Sequence, residues 1–150
     1  MRVLVLVKAT ADSENAAPPD AASMRAMGKF NVELHEAGIL VLAEGLKPTL
    51  HARRVAFDGA DRTVIDGPFA NTNELIAGFW LWDVKDLDEA IAWVKRCPNP
   101  MRGPSEIEIR PLFEMAEIEE LLPPEAIKAR ADRARRWEAL SPKPAGPARD

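Results

Sequence analysis

The stretch Leu75-Ile76-Ala77-Gly78-Phe79-Trp80-Leu81-Trp82 runs without a single charged side chain. At the two-residue period of a β-strand, Leu75, Ala77, Phe79 and Leu81 fall on one face and Ile76, Gly78, Trp80 and Trp82 on the other. A strand that is apolar on both faces has to be covered on both. Helices can cover one side, but a chain of 150 residues forms one domain around a single core. A partner sheet is the economical cover for the other side, so the expected assembly is a homodimer.

Met1 to Ala9 repeats the pattern, with Val3, Val5 and Val7 set against Leu4 and Leu6 between Arg2 and Lys8. A polar loop follows from Thr10 through Pro18 and Pro19. Asp20 then caps a helix reaching about Ala37, with Gly38 as its stop and an apolar stripe of Met24, Met27, Phe30, Leu34 and Ala37. Ile39 to Ala43 reads as a short strand, followed by a turn through Gly45 and Pro48. Ala52 to Phe57 and Thr63 to Ile65 form a hairpin about Asp58-Gly59. Asp66-Gly67-Pro68 is a shaped turn, because glycine tolerates unusual backbone angles and proline fixes its own φ.

Asp86 and Glu89 open a second helix striped by Leu87, Ala90, Ile91 and Val94, and Cys97-Pro98-Asn99-Pro100 ends it. Ile107, Ile109, Pro111 and Phe113 alternate with Glu106, Glu108, Arg110 and Leu112 in a last strand with its proline near an end or edge. The order is that of an α+β, ferredoxin-like unit with an inserted hairpin. It is expected over residues 1–114, with 115–150 a helical extension and tail. In that extension Pro123-Pro124 separates a short helix, Glu117 to Leu122, from a longer one, Glu125 to Leu140, bearing Ile127, Ala131, Ala134 and Trp137; Ser141 to Ala148 is expected to be flexible.

The formal charge of −4 gives no general attraction to nucleic acid or to an anionic membrane. Arg130, Arg133, Arg135 and Arg136 are diluted by Asp132 and Glu138, and no nucleic-acid module accompanies them. Val3 to Val7 is far too short to span a membrane and lacks the features of a secretory leader, so the expected compartment is the cytoplasm. Cys97 alone permits no internal disulfide, leaves an intermolecular pair open, and is expected to be a free thiol. At the carboxyl end of a helix it is a poor nucleophile. Phosphate-loop, dinucleotide and paired-cysteine motifs are absent, and His35-Glu36 lacks the second histidine of a helical zinc motif. No cofactor and no metal are expected.

Asp66 and Glu74 flank the glycine-proline turn, where a carboxylate of raised pKa can serve as acid or base; Asp66 can equally brace the turn. An imidazole can move a proton near neutral pH, so His35 and His51 are both open to proton transfer, and His35 joins Asp66 and Glu74 as a candidate. Glu106, Glu108 and Arg110 share one face of the last strand. Arg110, with Glu108 beside it, can hold a carboxylate ligand through its planar fork, or the two can pair with each other. Trp80 and Trp82 can line an apolar cleft or pack in a core, and Trp80 is the aromatic ligand-binding candidate.

The motifs Asp66-Gly67-Pro68-Phe69-Ala70, Glu74-Leu75-Ile76-Ala77-Gly78-Phe79, Leu87-Asp88-Glu89-Ala90-Ile91 and Ile107-Glu108-Ile109-Arg110-Pro111-Leu112 stand in this order. Together, over roughly residues 2 to 114, they resemble the YCII-related proteins, in the branch named for its Asp-Gly-Pro-Phe motif. The resemblance implies a ferredoxin-like fold assembled as a dimeric αβ-barrel. The family's usual motif continues Ala-Glu-Thr-Lys-Glu, and here Asn71 and Asn73 replace the Glu and Lys. Some related proteins resemble small-molecule enzymes, one of them associated with dechlorination of an aromatic compound, and a histidine–aspartate pair has been proposed as the family's active site. The sequence around His35 lacks a specific match to that pair. Other members of the branch occur beside transcription regulators.

Two readings follow. In the first, the chain is a dimeric binder of a small anionic or aromatic molecule, with carboxylate-dependent acid–base or lyase-like chemistry open to it. In the second it is a noncatalytic regulatory or structural homodimer.

Overall fold

The computed structural model describes residues 1–70 and 72–140; of Thr72 and residues 137–140 it describes the backbone only. In chain order the first unit, Met1–Leu112, consists of β1 (Arg2–Lys8), α1 (Ala11–Glu14), α2 (Ala21–Glu36), β2 (Leu40–Gly45), β3 (Arg53–Asp58), β4 (Asp61–Asp66), β5 (Ile76–Asp83), α3 (Leu87–Arg96) and β6 (Ile107–Pro111). Four strands form an antiparallel sheet in the order β2-β5-β1-β6, and β3 and β4 form a separate two-stranded sheet. This mixed α+β arrangement is compatible with a ferredoxin-like fold, the hairpin lying between β2 and β5.

The doubly apolar segments became the two central strands. Along β1, Val3 lies opposite Trp82 and Val5 opposite Trp80, while Val5 and Val7 face Ile109 and Ile107 on the other side. This face joins Phe30 and Leu34 of α2 and Ala90 of α3 in the core, where Val3, Val5, Leu34 and Trp82 are essentially sealed from solvent. Phe30 meets the Trp82 ring edge-on at 6.4 Å. Burying each such side chain stabilises the fold by about 1.5–3 kcal/mol. The Trp82 indole Nε1 is buried with no hydrogen-bond partner among the described residues.

Caps set the helix limits. Asp20 accepts from the Ala22 and Ser23 amides at 3.0 and 2.9 Å, and Gly38 closes α2 with φ +71°. At α3, Asp86 accepts from the Glu89 amide at 2.9 Å, while the Glu89 carboxylate reaches the Lys85 amide at 2.7 Å, one residue before the cap.

Three segments depart from the sequence reading. The expected loop after Thr10 contains α1, whose start is closed by a reciprocal Thr10–Ser13 capping box. β2 begins after Ile39, which turns into the core, and continues through Gly45, opposite Gly78. β6 stops at Pro111, which has no amide hydrogen to extend the ladder, and Phe113 is 68% exposed.

The second unit begins at Phe113. Within the described residues it holds α4 (Met115–Leu121) and α5 (Pro124–Leu140). The Glu114 amide donates to Glu117 at 2.7 Å at the start of α4, and Asp132 pairs with Arg135 on α5. The proline-rich tail from Ser141 and the Trp137 side chain lie outside the described residues.

Candidate functional site

Small residues meet at one end of the sheet. Gly45 and Gly78 are register partners, with Ala43 opposite Trp80 beside them and Ala77 adjacent in β5, so this floor carries almost no side-chain bulk. Gly78 cannot be larger, since a Cβ there would stand 2.9 Å from the Glu44 carbonyl oxygen. Above the floor, α2 presents Ser23, Met24, Met27, Gly28 and Asn31, the spacing of one helix face. Gly28 has open space where a Cβ would point. Asn99, Pro100 and Met101 close a third side, leaving a cleft of about 470 Å³. That volume is within the range used for small-molecule ligands. A second hollow of about 440 Å³, lined in part by the same Pro19, Ser23, Gly45, Ala77 and Met101, extends it toward Thr10, Asp12 and Arg102.

Trp80 forms part of the cleft wall and is 6% exposed. Its indole Nε1–H donates to Asn31 Oδ1 at 2.9 Å. The other polar side chains of the wall are largely spent on local structure. The Ser23 hydroxyl donates to Asp20 at 2.6 Å. The Asn99 oxygen accepts from the Met101 amide and the Ser105 hydroxyl, and its NH₂ donates to the Gly103 carbonyl. Strand alternation sets Glu44, opposite Phe79, on the sheet face away from Trp80.

The remaining residues singled out from the sequence lie elsewhere. Asp66 ends β4, is largely exposed, and pairs with Arg53 across the hairpin at 2.6 Å. Glu74 is exposed just before β5, His35 is exposed in the last turn of α2, and His51 is exposed in a short turn. None of these lines the cleft. Glu108 and Arg110 do come together, 3.4 Å apart, on the sheet face opposite Trp80, and Lys8 approaches Glu108 to 2.6 Å. The Lys8 hydrogen bond holds the Glu108 carboxyl below its ordinary pKa, with Arg110 adding to the effect.

The Asp66-Gly67-Pro68-Phe69 turn is held by a relay of its own. The Gly67 amide donates to Ala52 at 3.1 Å, and the Phe69 amide donates to the Thr49 hydroxyl at 3.1 Å. Thr49 in turn donates through both its amide and its hydroxyl to the Glu14 carboxylate. A Cβ on Gly67 would fall 1.7 Å from the Thr49 carbonyl oxygen, so only glycine fits this approach. The Arg54 guanidinium lies over the Phe69 ring at 3.8 Å. These bonds tie the inserted hairpin to α1.

Cys97 donates to the Pro98 carbonyl, and burial pushes its thiol up to about 11, which keeps it protonated and unreactive near neutrality. Among the described residues, no three His, Cys, Asp or Glu side chains are grouped to hold a metal ion, and no helix is long and apolar enough to cross a membrane.

The signal for the cleft was present in the sequence as Gly28, Ala43, Gly45, Ala77 and Gly78, but nothing local to these residues says that they meet. Asn31 gave no signal at all, since one asparagine on a helix is ordinary. Comparison with known proteins gives the same region a lineage. An uncharacterised protein of Rhizobium meliloti (strain 1021) is 35% identical over 89 residues, covering 59% of this chain and 72% of the relative. The YCII-related domain profile matches residues 1–116. The chain belongs to the YCII-related family.

Proposed function

We propose that this protein binds a small organic molecule in the cleft between α2 and the β2–β5 end of the sheet. The observation that carries this reading is the cleft itself: about 470 Å³, walled by Met24, Met27, Trp80 and Met101 over a floor with little side-chain bulk. Binding is favoured over acid–base turnover because Asp66, Glu74 and His35 all lie outside the cleft. The test is amide and indole NMR during a screen of small aromatic fragments. Shifts should gather at the Trp80 indole, Gly45 and Gly78 and disappear in Gly28→Leu, whose side chain fills the space. Shifts scattered over the surface, or none, would overturn the proposal.

The same reading includes a homodimer. Leu4, Leu6, Phe79 and Leu81 share the sheet face opposite the α2–α3 core and are only partly buried. The hairpin adds exposed Val55, Phe57 and Val64. Isolated two-stranded hairpins are marginal in water, and a second copy offers both surfaces an apolar partner. Light scattering should give the mass of a dimer for the native chain and of a monomer for Leu6→Glu. A native chain that stays monomeric at high concentration removes the dimer from the proposal.

A further inference from the structure

The indole of Trp80 settles which way the Asn31 amide points. An indole N–H only donates, so the atom 2.9 Å from it must be the Asn31 oxygen, and the NH₂ group is directed away from Trp80. No hydrogen bond occupies Asn31 Nδ2 among the described residues, whereas Ser23 and Asn99 are committed to local partners. Asn31 also lines the cleft, one turn beyond Met27. It is therefore a fixed donor, oriented from behind by a buried ring, in a wall that is otherwise mainly apolar.

We propose that Asn31 Nδ2 determines specificity in this cleft, and that the ligand is an apolar, ring-sized molecule carrying an acceptor oxygen such as a carbonyl, phenolate or carboxylate. This inference rests on the cleft being the ligand site. A donor already held in place loses little freedom when it binds, so it favours ligands bearing an acceptor. A ligand without one leaves the amide without water or partner, which is the condition under which a polar site discriminates most strongly.

The test uses two molecules of nearly the same shape: acetophenone, with a carbonyl oxygen, and α-methylstyrene, with a CH₂ group in its place. Asn31→Asp keeps an acceptor for the Trp80 indole but removes the donors. It should weaken acetophenone about tenfold, the loss of one net hydrogen bond, and leave α-methylstyrene unchanged. Trp80→Phe frees the amide to rotate and should narrow the difference between the two ligands, giving a second reading if Asn31→Asp does not fold. Equal weakening of both ligands would make Asn31 a structural partner of Trp80 only, and unchanged binding of both would remove it from recognition; either result overturns the inference while the cleft stands. Failure of both ligands to bind the native protein would overturn the inference, and fragment shifts at Trp80 would then decide whether the cleft reading falls with it.

Discussion

The two faces of the central sheet are built from the same strands with nearly the same apolarity, yet they end in different environments. Val3, Val5, Trp80 and Trp82 face α2 and α3, and none is more than 6% exposed. Leu4, Leu6, Phe79 and Leu81 alternate with them and stay partly open, bordered by Lys8, Glu108 and Arg110. The difference teaches that hydrophobicity proposes burial and only cover delivers it. The charged border is legible in the same terms: three ionised groups can gather on the face that keeps access to water, where pairing costs little desolvation.

The strongest way to break this contrast is Trp82→Ala. Emptying the covered face should cost about 3–5 kcal/mol in denaturant unfolding, and a loss below about 1 kcal/mol would mean that this face is not the core. On the open face, Leu81→Ala should cost only about 1 kcal/mol in dilute solution, because less area leaves water on folding. If a second copy covers that face, the loss should grow with protein concentration; a concentration-independent loss equal to that of Trp82→Ala would erase the distinction. The smallest effect belongs to the charges. Glu108 has its pKa lowered in the fold, so its contribution is present above the ordinary carboxylate range and is lost as pH falls through the lowered value. Glu108→Gln should therefore differ in stability from the native chain near neutrality and converge with it in acid. A difference that persists unchanged in acid would show that the Lys8 tie is not its source.

A comparable division separates what could be read from the chain. The two central strands, the Asp20 and Gly38 limits of α2 and the Asp58-Gly59 hairpin were legible because alternation, capping and turn chemistry act over a few neighbouring residues. The candidate site was much less legible. Asp66 and Glu74 are near each other in sequence on either side of a turn, but Asp66 is taken by Arg53 and neither residue reaches the cleft. Trp80 was identifiable as a large aromatic on a central strand. Its partner Asn31 is 49 positions away, beyond the range of any local pattern. α1 was missed because its four residues have no apolar stripe, and its main role, presenting Glu14 to Thr49, is a contact made at a distance.

The sequence by itself determined the strand and helix pattern, the turn at Asp66-Gly67-Pro68-Phe69, and the presence of strands too apolar to leave either face bare. Only the tertiary structure decided which face the helices took, that Gly45 would lie against Gly78 beneath Gly28 to open a cleft, and that Trp80 would fix the amide of Asn31. The physical reason is range. Backbone preference and periodicity are written into adjacent residues, whereas a cavity and an oriented donor arise from what distant segments do, or fail to do, when they pack together.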